Sequence, residues 1–392
     1  MRDGWIAVDE GRIAAAGGPG ERPPGASREV RLERAALMPG VVNAHTHLEL
    51  SYLRGAVEES ARFTDWIREL MRLRRTREAG TAEAGAALEA AIAEARAAGT
   101  AVVGDVSNTL ASIGPLDRSP LAAHVFFELV RFRGEEAEAA YHGALEQLAS
   151  VPPPRRTRVS LAPHAPYSVS PRLFQMIRRH LDASSPAPTT VHLCESPEEC
   201  ELLASGSGAW RELLGELHAW DEGWIAPGTT PVEYLDALGF LRADTLLVHG
   251  VHMSRRELAR VAARGATLVT CPRSNRHVGV GDPPLSRFYE AGVPVAIGTD
   301  SLTSAPDLNV FAELADMRRL APGIPARRLL ESATRTGARA LGFDDYGRLA
   351  PGARAAVIAV DLPARVEDVE EYLVGGISPA QIQWPLDDLI PS

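Results

Sequence analysis

The 392-residue chain contains no lysine, so all 41 of its basic residues are arginine. A GC-rich genome is explanation enough for the bias, but its chemical consequence stands. A lysine Schiff base, a Walker-type phosphate loop and a carbamylated lysine bridging two metal ions are excluded, since each needs the missing amine. Cysteine is nearly as scarce. Cys194, Cys200 and Cys271 are too few and odd in number for a disulfide framework, and none forms a CxxC pair, so reduced thiols are expected. No apolar run approaches the roughly 18 residues of a membrane span. The opening MRDGWIAVDEGR lacks the apolar core of a signal peptide, and a cytoplasmic location is the expectation. Positive charge is short as well: the formal net charge is -10 and the pI about 5.6. Nucleic acid and anionic membrane are thereby disfavoured as partners, because phosphate binding needs clustered cations. A small-molecule substrate is expected, and a homodimer stays open.

What is present is a globular composition, 45% hydrophobic and 23% charged, long enough for one large enzyme domain and a smaller one. Eight short β-branched runs punctuate the chain: LMPGVVNAHTH, TAVVGDVSN, AAHVFFELV, RVSLAPHAPYS, TTVHLCES, DTLLVHGVHM, ATLVTCPRSN and VPVAIGTDS. Between them lie segments such as DWIRELMRLRRTREAG and SRRELARVAARG, with apolar residues three and four apart. That rhythm predicts an α/β fold, a (β/α)8 TIM-type barrel over residues 37–345, whose reactive groups belong at the C-terminal ends of the strands. Residues 1–36 and 346–392 break the rhythm. WIAVDEGRIAAAG and GRLAPGARAAVIAVD read as short strands with glycine turns, so the two chain ends are expected to meet in a small β-sandwich. The stretch from Glu201 to Phe240 carries three of the six tryptophans. It reads either as a lid over the site or as a helical insertion packed on the barrel.

A lone histidine is more often structural than a ligand, and an isolated HxH is weak on its own. Position changes that. His45 and His47 close the first barrel strand two residues apart and therefore on one side. His192, His249 and Asp300 each stand where an apolar run stops and a loop begins. Imidazoles and a carboxylate converging on one barrel mouth suit a borderline ion such as Zn2+ with a position left open for chemistry.

PGVVNAHTHLEL, HAPYS, HLCES, LVHGVH, CPRSN and GTDS, in that order, resemble the amidohydrolase superfamily over nearly the whole chain. HLCES resembles its deaminase branch, in which a catalytic glutamate follows the third ligand histidine by three residues, here Glu195 after His192. The resemblance implies His45, His47, His192 and Asp300 as ligands of one divalent ion, Zn2+ first and Fe2+ second. It further implies Asp300 as proton acceptor, Glu195 as the acid that protonates a ring nitrogen, and His249, preferred over the nearby His252, as the group that stabilises the oxyanion or orients hydroxide. GRLAPGARAAVIAVD departs from the family pattern by carrying alanine where aspartate is common.

NAHTHLELS, FFELVRF, PVEYLDALG, CPRSNR and GTDSLTSAPDLNVFAEL resemble the aminodeoxyfutalosine deaminases of menaquinone biosynthesis. That implies 6-amino-6-deoxyfutalosine, an adenine nucleoside bearing a benzoate, as substrate. Arg131, Arg273 and Arg276 are candidates for a bidentate carboxylate clamp, Arg273 first. His164, Ser274 and Asn275 are expected to line the pocket, with Trp66 at its mouth. Adenosine, S-adenosylhomocysteine or guanine deamination, chlorohydrolysis and amide hydrolysis are the enzymatic alternatives. Against the hydrolytic ones stands Glu195, an acid that amide cleavage does not need at that position. An inactive binding protein on the same barrel is the remaining one.

Overall fold

The computed structural model describes residues 3–20, 25–77, 80–184 and 186–387. Residues 1–2, 21–24 and 388–392 of the expected end segments lie outside the described residues, as do residues 78–79 and 185. Thirteen strands follow in chain order among the described residues: β1 (Trp5–Asp9), β2 (Arg12–Gly17), β3 (Ala35–Pro39), β4 (Val41–Thr46), β5 (Thr100–Ser107), β6 (Ala122–Leu129), β7 (Arg158–Pro163), β8 (Thr189–Leu193), β9 (Thr245–His249), β10 (Thr267–Thr270), β11 (Val295–Ile297), β12 (Val357–Asp361) and β13 (Ile382–Gln383). Strands β4 to β11 are the eight expected barrel strands. They run parallel in two sheets, β4-β5-β6-β7 and β8-β9-β10-β11.

The two seams that join these sheets are closed by site residues. Between β7 and β8 the His192 amide donates to the His164 carbonyl at 2.9 Å; between β11 and β4 the Asp300 amide donates to the His45 carbonyl at 3.0 Å, and Thr46 bridges Asp300 in parallel. Barrel closure thus fixes four candidate functional residues by their own backbones.

Most barrel-strand residues are buried, as a parallel sheet covered on both faces requires. One apolar cluster takes alternate residues round the barrel, Val102, Phe126, Ala162, Leu246, Val248, Val269 and Ala296 among them. The intervening Val103, Val125, Leu161, Leu247, Leu268 and Val295 pack with helical residues in a larger cluster. Several helices start on the signals the sequence offers: Ser170-Pro171, Ser196-Pro197 and Thr230-Pro231 each place an N-capping side chain ahead of a proline in the first turn.

The chain ends form small antiparallel sheets, β1-β2 and β3-β12-β13, linked by a bridge between Arg12 and Arg354. LMPGVVNAHTH, expected as one strand, is two. It breaks at Gly40, where a Cβ would lie 2.6 Å from the Ala101 Cβ and 2.8 Å from the Trp384 ring. The part before the break, β3, pairs with β12 (Met38 opposite Ile358), and only the part after it enters the barrel. The chain therefore passes from the end sheet into the barrel a few residues later than the expected boundary at 36. No helix among the described residues is long and apolar enough to cross a membrane.

Candidate metal and catalytic site

At the C-terminal end of the barrel the His45, His47, His192 and His249 rings cluster, with centroids 4.8 Å apart for His45–His47, 5.0 Å for His45–His192, 5.4 Å for His192–His249 and 5.5 Å for His47–His192. Asp300 faces them: its Oδ1 lies 3.6 Å from His45 Nε2 and 3.4 Å from His47 Nε2. Potential ligand atoms of His45, His47 and Asp300 lie within 4.8 Å of one another, as do those of His45, His192 and His249.

The donor set fits one divalent ion. Both ring nitrogens of His45 are buried without a hydrogen-bond partner, which is costly unless something else takes a lone pair. His192 Nδ1 meets the His164 carbonyl at 3.0 Å, an acceptor only, so Nδ1 carries the proton and Nε2 is left to coordinate. Burial, and then the neighbouring His45, push the His47 imidazole down to about 3; burial and the surrounding histidines hold His192 well below its usual value. Neutral imidazoles are the form that binds metal. A second grouping, Glu128 with His164 and His192, also comes together. It offers less, since His192 Nδ1 is already spent on the His164 carbonyl.

The carboxylates divide into two kinds. Burial would raise Asp300, but the His45 imidazole 3.6 Å away and the neighbouring His47 and His249 imidazoles outweigh it and hold this carboxyl well below the usual range. Its other oxygen, Oδ2, accepts from Ser274 Oγ at 2.6 Å. Glu195 is the opposite case. Burial, then the charges of Asp300 and Glu199, push it well above the usual carboxylate range, and Tyr167 Oη donates to it at 3.4 Å. Its Oε1 lies 3.5 Å from His249 Nε2. Two carboxyl groups whose surroundings drive them apart make an acid and a base at one pH.

Backbone strain collects here too. His249 ends β9 at φ 74, Asp300, three residues past β11, sits at φ 61, and Cys194, next to Glu195, at φ 51. Non-glycine residues in the left-handed region persist only where surroundings hold them, and they gather at functional sites. Glu199 supplies one such hold, accepting from the backbone N–H of Cys194 and of Glu195, both at 3.0 Å.

Most of the residues singled out from the sequence converge, several in roles the spacing does not reveal. His249 is in the cluster, its Nδ1 bonded to Asn275 Oδ1 at 2.8 Å, whereas His252 is half-buried outside it, bonded to the Val280 carbonyl. Ser274 and Asn275 are fully buried. Rather than lining the pocket, they hold Asp300 and His249. His164 meets His192 with centroids 4.8 Å apart, and burial with the Arg74 charge lowers it to about 4. Trp66 belongs to an aromatic layer with Phe63, Tyr167 and Trp210, in which Tyr167 stacks on Trp210 at 3.9 Å. Part of the Glu201–Phe240 stretch forms helices, and Trp210 and Trp220 pack down from it onto Tyr167 and Phe132.

The expected arginine clamp finds no support in the three candidates. Arg273 Nε and Nη1 bind Glu313 at 2.6 Å and Asp307 at 2.8 Å, and Nη2 the Asp307 carbonyl. Arg131 is exposed beside Glu136, and Arg276 pairs with Asp316 at 2.8 Å. The arginine whose charge reaches the site is Arg74, on the helix Phe63–Thr76. It contacts Asn108 Oδ1 at 3.4 Å and acts on both His164 and Glu128. In the run RLRRTR nothing distinguishes it. Also unforeseen are Glu128, which burial pushes up to about 7 beside Asn108, and Asp105, which accepts from the Leu48 amide at 2.8 Å and steadies the HTHL turn. Both are acids inside apolar strands, a signal the sequence does carry.

Comparison with known proteins agrees with this geometry. The Amidohydrolase family model matches residues 36–383. Aminodeoxyfutalosine deaminase of Deinococcus radiodurans is 34% identical over 353 residues, 86% of this chain and 81% of that protein. The 5-methylthioadenosine/S-adenosylhomocysteine deaminase of Halobacterium salinarum is 32% identical over 377 residues, 93% of this chain and 81% of that protein. Among solved structures, an adenosine deaminase from Xanthomonas campestris with bound zinc superposes with a TM-score of 0.82 at 27% identity, covering 97% of this chain and 86% of the other.

Proposed function

The chain belongs to the amidohydrolase family and is a hydrolytic deaminase, and from that premise we propose that it deaminates the adenine ring of 6-amino-6-deoxyfutalosine, a nucleoside with a remote carboxylate. The observation that carries the chemistry is the pairing, inside one site, of a carboxyl driven up, Glu195, with one driven down, Asp300. His45, His47, His192 and Asp300 would hold a divalent ion, Zn2+ the first choice, which would supply Lewis acidity and lower the pKa of a water toward neutrality. Asp300 takes the proton of the attacking water, aligned by Ser274 through its second oxygen. Glu195, protonated, gives its proton to the ring nitrogen next to the amino-bearing carbon, which makes that carbon electrophilic. His249, fixed by Asn275, turns Nε2 toward the same reacting centre and stabilises the charge that develops on oxygen. Ammonia leaves when the tetrahedral centre collapses.

For the substrate's far end, two features support an aromatic carboxylate. The layer of Phe63, Trp66, Tyr167 and Trp210 adjoins Glu195 and His164, and Arg74 brings positive charge to the His164 side. We assign the clamp to Arg74 in place of Arg273, whose guanidinium is already taken. The long match to the methylthioadenosine/S-adenosylhomocysteine deaminase favours a second reading, in which the far end is a thioether. Initial rates on aminodeoxyfutalosine, S-adenosylhomocysteine, methylthioadenosine and adenosine separate them. Aminodeoxyfutalosine is expected to exceed adenosine in kcat/KM by about 10²-fold, since a charge-assisted hydrogen bond is worth roughly 1.5–3 kcal/mol and a bidentate pair adds to it. In Arg74→Ala that advantage shrinks while adenosine turnover holds. Preference for methylthioadenosine, or an advantage untouched by Arg74→Ala, defeats the assignment.

A further inference from the structure

Among the described residues, three α-helices begin with a capping serine or threonine and a glutamate three residues on, and one of them breaks the pattern. In the helices Pro231–Ala237 and Arg255–Arg264 the glutamate accepts from the amide of its own cap, Glu233 from Thr230 at 3.4 Å and Glu257 from Ser254 at 2.8 Å. That is the ordinary reciprocal cap. The helix Pro197–Ser205 starts the same way, with Ser196 Oγ accepting from the Glu199 amide at 3.3 Å. Its glutamate reaches further back. Glu199 Oε1 accepts from the Cys194 amide and Oε2 from the Glu195 amide, both at 3.0 Å, on the two residues before the cap. Glu199 is fully buried, where a carboxyl group is costly unless it is bonded, and what it bonds is the backbone that carries the proposed acid.

We propose that Glu199 is a positioning residue for deamination, a helix-capping glutamate redirected to aim the Glu195 carboxyl at the ring nitrogen it protonates. The Glu195 side chain carries a long hydrogen bond of its own, from Tyr167 Oη at 3.4 Å, so its direction must come from the main chain. There the anchoring is tight. The Cys194 carbonyl and the Glu195 N–H belong to one peptide group; the carbonyl accepts from the His252 amide at 2.9 Å and the N–H donates to Glu199. A peptide held at both ends cannot rotate, and the second oxygen of Glu199 holds the residue before it in the left-handed conformation, φ 51, that a side chain other than glycine's resists. With the peptide plane fixed, Glu195 Oε1 stays 3.5 Å from His249 Nε2, inside the site. A cap bonded to its own serine, as in the other two helices, would leave that peptide free to turn.

The proposal rests on Glu195 being the acid, so the experiment reads the two apart. Wild type, Glu199→Gln, Glu257→Gln, Glu195→Gln and the double variant Glu195→Gln with Glu199→Gln are prepared metal-loaded. Each is assayed on adenosine and aminodeoxyfutalosine, with Tm, metal content and hydrogen exchange of the peptide spanning Cys194 and Glu195. A glutamine offers one acceptor oxygen and sets an NH2 against the other amide. Glu199→Gln is therefore expected to lose about 10²-fold in kcat, the scale that a misplacement of about 1 Å produces, with KM and metal content kept and exchange at that peptide faster. Glu257→Gln, which loses an ordinary cap, lowers Tm and leaves kcat and that exchange alone. In the Glu195→Gln background the Glu199 change costs nothing further, because the two act as one unit. Should Glu199→Gln not fold, Glu199→Asp, which draws the carboxylate back by one methylene, carries the same test. Wild-type kcat in the Glu199 variant, a loss equal to that in Glu257→Gln, or full additivity with Glu195→Gln overturns the positioning role. Wild-type turnover in Glu195→Gln instead removes the acid that Glu199 would aim. If no nucleoside is deaminated by wild type, the proposed function has failed, and hydrogen exchange alone decides whether Glu199 grips this peptide.

Discussion

The floor of the site and its rim are built on different terms. On the floor, His45, His47, His192, His249 and Asp300 end barrel strands, and the bonds that close the barrel pass through His192, His45 and Asp300 themselves. Their positions follow from the fold, so any sequence that closes this barrel places them. The rim, with Trp66, Arg74 and Trp210, comes from helices that only lean on the barrel. A barrel can change its rim without disturbing its floor, which is why reaction class and substrate separate so cleanly in such a fold.

The comparison breaks most completely if the floor loses its proposed metal ligands. His45→Ala combined with His47→Ala removes two of the four proposed donors, and the protein is expected to hold no stoichiometric divalent ion by elemental analysis and to show no turnover. Retained metal at one equivalent per chain places the ion elsewhere.

Arg273 tests whether a residue next to the floor belongs to it. Its guanidinium neutralises Glu313, which is fully buried. Removing one partner of a buried pair strands the other and typically costs about 3–5 kcal/mol. Arg273→Ala is therefore expected to lower Tm markedly and leave the ratio of kcat/KM between aminodeoxyfutalosine and adenosine unchanged. A normal Tm with a collapsed ratio returns the clamp to Arg273.

Glu195→Gln separates proton transfer from metal binding within the floor. The variant is expected to keep its ion and lose at least roughly 10²-fold in kcat, the low end of general acid–base effects. In the proposed mechanism the working form is the protonated acid, so wild-type kcat is expected to fall as pH rises through the elevated Glu195 value. Wild-type turnover in Glu195→Gln makes that carboxyl a bystander.

Much of the floor was legible because ligand spacing and strand ends coincide. Eight apolar runs and a histidine or aspartate at the stop of several of them carry the barrel and its cluster of histidines and aspartate. What hid were features set by three-dimensional neighbours. The left-handed backbone at His249 and Asp300 has no residue signature, since neither is glycine. Ser274 and Asn275 looked like pocket lining by position, yet burial turns them toward Asp300 and His249. Arg273 looked free because Glu313, its partner, is 40 residues away in sequence. Arg74 was lost among equal neighbours in RLRRTR, and the break at Gly40 was invisible because the apolar pattern runs straight through it.

The central claim is hydrolytic deamination of an adenine nucleoside by one divalent ion per chain. It is tested most directly by incubating metal-quantified protein with aminodeoxyfutalosine and measuring ammonia against loss of the adenine chromophore. The account predicts one ammonia per adenine converted to hypoxanthine, with one ion per chain and an intact glycosidic bond. Release of free base, two tightly held ions per chain, or no ammonia from any adenine nucleoside would contradict it.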